Sequence, residues 1–370
     1  MIPVGSTDSV RGPTALPPPR RWRAVWIALL LAGAGLVLLL SPLVGSVPIP
    51  PTRALEIVLS GGGALFNPCA SAVPQCSTTW LLIVWQERVP VVLLAVMVGA
   101  ALGLAGGALQ GIFRNPLADP FLLGISTGGT LGASLVFVFA IGESEADLAL
   151  PLFAFVGSLG TGLLILAAAR GRYGSVETLL LTGVALNAFL SSVLTVILLY
   201  NPIASLQVDF WLLGSLGGGA SVTWVRDGIV FGGVLAAGTL IAVHGRELNL
   251  VQLGNDVAQS AGVDARRVRN RLLLLTSIVT AVAVAFTGII GFVGLVSPHV
   301  VRRVAGSDYR VVLPGAAVVG AAFLLGARDL SVIVFPANVL PIGIFTSFAG
   351  APFFLYLLYR RRTLSTMGDI

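Results

Sequence analysis

The sequence predicts an all-α polytopic membrane protein, a single domain of about ten transmembrane helices, and three observations predict it. Of 370 residues, 56% are hydrophobic and only 10% charged. That composition excludes both a disordered chain and an ordinary soluble domain. Val89–Phe113 is a run of 25 residues without a charge, longer than the ~20 a helix needs to cross a bilayer core. The 22 basic residues are all arginines, and they gather where apolar runs end, as they do beside membrane faces.

Taken in order, residues 1–20 carry five prolines and no apolar run, which predicts a disordered cytoplasmic tail. Arg20-Arg21-Trp22-Arg23 ahead of Ala24–Val44 imitates a signal peptide. The apolar run is longer than a signal core and many spans follow, so an anchored first helix is expected. Thr52–Leu59 is expected as a short helix on the outer surface. Cys69 and Cys76, the only cysteines, fall in the following Pro/Ser-rich outer loop. A disulfide is chemically permitted there in an oxidising compartment, and two unpaired thiols fit the sequence equally.

Within Val89–Phe113, glycine recurs at positions 99, 103, 106, 107 and 111, where small residues let helix backbones approach closely. Arg114-Asn115-Pro116-Leu117-Ala118-Asp119-Pro120 then predicts a tight turn at a membrane face, with two prolines four apart and two opposite charges. Further apolar segments cover 121–141, 148–169, 178–200, 228–244, 311–327 and 339–359. Leu272–Val301 is too long for one upright helix and too short for two. Arginines flank both its ends, Arg266, Arg267, Arg269 and Arg271 on one side, Arg302 and Arg303 on the other. The chain is therefore expected to enter and return, bending at Gly288, Gly291 and Gly294, with Pro298 in the returning arm. Such a glycine-interrupted pair points to the pathway in many carriers. The outcome is ten spans in a domain over residues 21–362, a tail at 363–370, and both termini in the cytoplasm.

Charge counting supports that topology. Arg53, Arg88, Arg226 and Arg328 fall outside and the other 18 arginines inside, while the 16 acidic residues divide evenly. The inner face then carries +10 and the outer −4, which together give the net +6 of the chain. The tryptophans and tyrosines fall near span ends, as interfacial belts require.

Several chemistries are excluded. With no lysine, neither a Walker A phosphate loop nor a lysine Schiff base can form on this chain. Span interiors lack the ionisable relay of an ion-coupled carrier or an intramembrane hydrolase. His244 and His299 lie near the inner surface as interfacial residues. No metal-ligand cluster or nucleophile triad is present, so neither a cofactor nor a metal is expected. The chain is not an enzyme by itself, and its arginines serve the bilayer rather than nucleic acid.

The stretch Gly107-Ala-Leu-Gln-Gly-Ile-Phe-Arg-Asn-Pro-Leu-Ala-Asp-Pro-Phe-Leu-Leu-Gly-Ile-Ser126 resembles the signature of the FecCD family, the permease subunits of type II ABC importers for ferric siderophores, haem and cobalamin. The match continues at intervals to about Arg360, through Gly174–Gly183 and Leu340–Phe354. The resemblance implies an inverted repeat of five helices after the first span. It also implies a homodimer, two cytoplasmic ATP-binding subunits that carry the hydrolysis, an extracytoplasmic substrate-binding protein, and a place in the plasma (inner) membrane.

Residue by residue, the resemblance implies a cytoplasmic gate at Asn115 and Leu117 opposite Ser175 and Val176. Read without it, the bend is a helix-breaking turn. It implies an ATPase-coupling loop at Leu253, Gly254, Asn255, Asp256, Ala258 and Gly262, a segment whose residues alone equally suit a helix on the inner leaflet. It also implies binding-protein docking through Arg88, which otherwise simply marks a span end. Of the family's Arg-Leu-Pro-Arg only the first arginine is kept in Arg88-Val89-Pro90-Val91. Two other classes remain open, a secondary transporter driven by an ion gradient and a non-transporting membrane scaffold or sensor.

Overall fold

The most apolar stretch of the chain also has the smallest side chains, and it becomes the helix on which the others pack. The computed structural model describes residues 20–60, 78–141, 148–168, 176–217, 224–336 and 339–366. Cys69, Cys76 and Ser175 lie outside them, as do nearly all of the N-terminal tail and residues 367–370.

The described residues are helical and contain no strand. α1 (Arg20–Leu40) is the first span, and α2 (Pro51–Leu59) is the short surface helix expected there. α3 (Thr78–Leu82) runs through a π turn, Ile83–Arg88, into α4 (Val89–Phe113). A 3-10 turn at Pro120–Leu123 leads into α5 (Ile125–Phe139), followed by α6 (Ala149–Ala168) and α7 (Val176–Leu199). α8 (Pro202–Leu212) was not anticipated; Pro202 at its first turn costs no hydrogen bond because that N–H has no helical partner.

α9 (Trp224–Val243) is a span, and α10 (Gly245–Gln252) with α11 (Asn255–Ser260) forms the long inner loop. α12 (Ala265–Thr287) and α13 (Val293–Ala305) are the two arms of the awkward interval. α14 (Tyr309–Val334) and α15 (Ile342–Thr366) close the chain, and α15 runs past the domain limit expected at residue 362.

Seven of these helices are long and apolar enough to cross a membrane, and α5 and the apolar part of α15 are shorter. With the 13-residue α13, all ten expected segments are helical. The interval Leu272–Val301 resolves unequally. α12 recruits Ala265–Arg271, and at ~1.5 Å per residue its 23 residues make a full span. The returning α13 reaches little more than half as far.

α4 is buried on nearly every side, the place for a helix without a polar face. Its main neighbours are α14, α13, α12 and α9. Packing partners come in matched sets, α4 against α14 as α12 against α6, and α5 against α6 as α13 against α14. The expected internal repeat would pair the helices in this way. At the crossing of α4 and α13, a Cβ on Gly106 would lie 1.9 Å from the Gly294 carbonyl oxygen; only a residue with no side chain fits.

Non-helical backbone inside the span region is held by its own kind. Ser215 N–H donates to Thr287 C=O at 2.8 Å, Ile342 N–H to Gly214 C=O at 3.0 Å, and Gly343 N–H to Leu213 C=O at 3.1 Å. Irregular backbone survives at membrane depth only where protein satisfies it in this way.

Candidate functional site

The arginines expected on one face do converge at one end. Trp85 stacks with Trp224 at 6.4 Å and its Nε1–H donates to Ile57 C=O at 3.1 Å. These contacts gather α2, the π turn and the start of α9, and with them Arg53 and Arg226. Arg88 and Arg328 grip the turn after α1 from two sides. Arg88 donates to the carbonyls of Leu43 (3.0 Å) and Val47 (2.5 Å), and Arg328 to Val44 (3.0 Å) and to the Asp329 carboxylate (2.8 Å). Ser41 Oγ donates to the same carboxylate at 2.8 Å. Arg88 is only 3% exposed, with its guanidinium turned onto the carbonyls of Leu43 and Val47. It braces the 42–47 turn, in which Ser46 and Val47 are exposed.

The other end is built around the bend. Arg114, the C-cap of α4, has a left-handed backbone at φ 50°. Asn115 Oδ1 accepts the Leu117 N–H at 2.9 Å and Asp119 Oδ1 accepts the Phe121 N–H at 2.9 Å, so both side chains fold the turn they sit in. Burial pushes the Asp119 carboxyl up to about 6, against that hydrogen bond. Asn115 and Leu117 are half-buried. Val176 is the first residue of α7, while Ser175 is outside the described residues.

The expected coupling segment is two short helices joined at Gly254, whose φ of 127° and ψ of 155° suit glycine alone. Ala258 is fully buried on the inner side of α11, while Leu253 and Val257 are 68% and 45% exposed. Asn255 and Asp256 are exposed as well, and Gly262 closes the helix at φ 80°. The segment thus hides one small residue and shows two apolar ones to the solvent side.

Side chains missed in the sequence fasten this segment to the bend. Arg114 Nη2 donates to Val251 C=O at 2.5 Å and to Asn255 Oδ1 at 3.2 Å. Gln252 Nε2 donates back to Gly111 C=O at 2.5 Å. Asn249 donates to Asp308 at 2.7 Å and accepts the Tyr309 N–H at 2.9 Å, which ties α10 to the start of α14. Hydrogen bonds from Arg310 and Asn249 hold the Asp308 carboxyl down to about 2. Deeper in, Gln110 donates to Gly294 C=O at 3.2 Å and accepts from Arg302, joining α4 to α13. Gln110 was visible as the one amide in an otherwise apolar run, and Arg114 as the one cation in the quoted motif.

Two cavities flank these elements. One of about 510 Å³ lies between the bend and α10, lined by Gln110, Arg114, Asn249, Gln252, Arg302 and Asp308. The other, about 640 Å³ and mainly apolar, opens where α8, the 288–292 break and α15 meet, beside Leu212, Ile289, Gly291, Ile344 and Phe348. No cluster of His, Cys, Asp and Glu that could hold a metal occurs among the described residues.

The FecCD transport family matches residues 29–360. The chain is 42% identical to the hemin transport system permease protein HmuU of Yersinia pestis over 76% of its length and 84% of the relative's. It is 38% identical to the cobalamin import system permease protein BtuC of Halobacterium salinarum, covering 80% and 77% of the two chains. Among solved structures, it superposes on an inward-facing metal-chelate type ABC transporter with a TM-score of 0.72 at 26% identity, over 90% of this chain and 99% of the other.

Proposed function

We infer that this chain, which belongs to the FecCD transport family, is the membrane-spanning permease subunit of an ATP-driven importer. Two copies form the translocation pathway, with two ATP-binding subunits at the cytoplasmic face and a substrate-binding protein at the outer face. The hydrolysis is on the partner subunits and the membrane is the plasma (inner) membrane, with both chain ends inside. The cargo is a bulky metal chelate, of the haem, cobalamin or ferric siderophore kind. The relatives named above support the class, one being a hemin permease and another a cobalamin permease.

One observation carries the pathway. α7 is 24 residues long and almost unburied in the single chain. Yet it carries Asn187, Ser191 and Thr195 at successive four-residue steps, with Ser192 beside them. Asn187 accepts from Thr127 of α5, and Ser192 and Thr195 bond back to the Ala188 and Ser191 carbonyls. Asn187, Ser192 and Thr195 nevertheless stay exposed, and lipid rarely faces such a polar row near a span's centre. A second copy or a water-filled passage does. We assign this face to the pathway between two copies, with the apolar cavity at α8 and α15 alongside. Asn115 and Leu117 are assigned to its inner gate, opposite Ser175 and Val176. Leu253, at the end of α10, and Val257 on α11 are the apolar contacts offered to the ATPase, and Arg88 supports docking by bracing the outer turn.

Secondary transport is the less supported reading, because the middle of each of the seven described membrane-length helices lacks an ionisable residue. The deciding experiment is reconstitution in proteoliposomes with the ATPase and the binding protein of the same organism. ATP hydrolysis stimulated by the binding protein, with uptake of hemin or cobalamin, is expected. Uptake that follows a proton gradient with no ATPase present would replace this reading by the secondary transporter.

A further inference from the structure

We propose that Arg114 is the positioning residue that makes the bend follow the coupling segment, so that movement imposed on α11 reaches Asn115 and Leu117. The proposal rests on the importer reading given above. It starts from a reciprocal exchange between two helix ends. A helix leaves its last carbonyls without intrahelical donors. At the end of α4 the Gly111 carbonyl accepts Gln252 Nε2–H from α10, and at the end of α10 the Val251 carbonyl accepts Arg114 Nη2–H from α4. Each helix therefore caps the other.

Such an exchange fixes position in a way that packing alone does not. The two bonds run in opposite directions between the same two chain segments, so sliding or lifting α10 breaks both unless α4 follows. A cationic donor at a helix C-terminus is also favoured by the helix dipole. Arg114 reaches a third point, Asn255 Oδ1 at 3.2 Å, in the first turn of α11. One guanidinium thus spans the joint at Gly254 and holds both short helices.

The backbone of Arg114 supports the same reading. Its φ of 50° is unusual for a residue other than glycine. Strain of this kind persists where the surroundings over-determine it, and here the side-chain bonds do so. The next residue, Asn115, begins the turn that leads to Leu117. No flexible linker separates the tie from the assigned gate.

The test is hydrogen–deuterium exchange of the assembled complex in lipid nanodiscs, with and without trapping by ATP and vanadate. In the parent, both the 253–260 and the 114–120 segments are expected to change exchange rate on trapping. In Arg114→Ala the 253–260 response persists, and the 114–120 response falls about fivefold or more, the low end of ordinary coupling energies. Arg114→Lys, which keeps a cation but is shorter and lacks the rigid guanidinium fork, retains part of it. Gln252→Met removes only the returning bond and gives an intermediate loss, which keeps the test open should Arg114→Ala fail to assemble. A 114–120 response in Arg114→Ala or Gln252→Met equal to the parent's overturns the proposal. No trapping response at 253–260 in the parent itself would instead overturn the importer reading beneath it.

Discussion

Replacing Gly106 by alanine adds one methyl group where α4 and α13 cross. The new Cβ would lie 1.9 Å from the Gly294 oxygen and 2.4 Å from its carbonyl carbon, both backbone atoms that cannot swing aside. Since Cβ atoms essentially never approach within 3.0 Å, the helices must part by at least the 1.1 Å between those two distances. The bonds from Gln110 to Gly294 and Leu295 sit beside the crossing and are already 3.2 and 3.4 Å long. Parting takes both out of range. Overpacking of this kind costs about 1–3 kcal/mol, and each polar bond within a membrane protein about 0.6 kcal/mol. Alanine's better helix propensity offsets about 1 kcal/mol, leaving a net loss of about 1–3 kcal/mol. Thermal unfolding of the detergent-solubilised protein, followed by tryptophan fluorescence, reads this against Gly160→Ala in α6. A Cβ at Gly160 meets nothing within 4 Å, so that control is expected to be neutral or slightly more stable. Equal stability of the two variants would refute the close-crossing argument.

Arg88→Ala strips donors from the carbonyls of Leu43 and Val47, each such bond to a charged group being worth about 1.5–3 kcal/mol. The permease alone should melt earlier and be cleaved by protease near 42–47; loss of binding-protein affinity at unchanged melting temperature would instead mean direct docking. Asp119→Asn keeps an acceptor for the Phe121 N–H but has no charge to desolvate. With the folded carboxyl raised to about 6 from 3.8, the parent is stabilised by protonation below 3.8 and loses that contribution as pH rises through 6. The variant should therefore melt higher than the parent at pH 7.5 and equally near pH 3.5, and a constant difference at both would count against burial as the cause. Gly254→Trp should fold and assemble but abolish coupled hydrolysis, while Gly254→Ala isolates the backbone strain of about 1–3 kcal/mol. Normal cargo uptake by the Gly254→Trp complex would remove the coupling assignment.

The spans were legible because a bilayer demands one thing of every segment that crosses it, a run of apolar residues with arginines at its ends. That demand is local, so Val89–Phe113, the Arg114–Pro120 bend and the surface helix after Pro51 could each be read from their own residues. α8 escaped because its apolar stretch is too short for a span, and α12 was placed too short because its first turns are rich in arginine.

The site divides the same way. The family resemblance marked Asn115, Gly254 and Arg88, but not what each touches. Arg88 faces inward because a π turn rotates it toward the carbonyls of residues 42–47, some forty positions earlier in the chain. Arg114 meets Val251 and Gln252 meets Gly111, across 137 and 141 residues, because two helix ends arrive side by side. The sequence by itself determined where the chain crosses the membrane, since hydrophobic transfer acts on each segment separately. Only the tertiary structure decided which polar groups hold those segments together, because a hydrogen bond depends on the distance between atoms that the linear order does not contain.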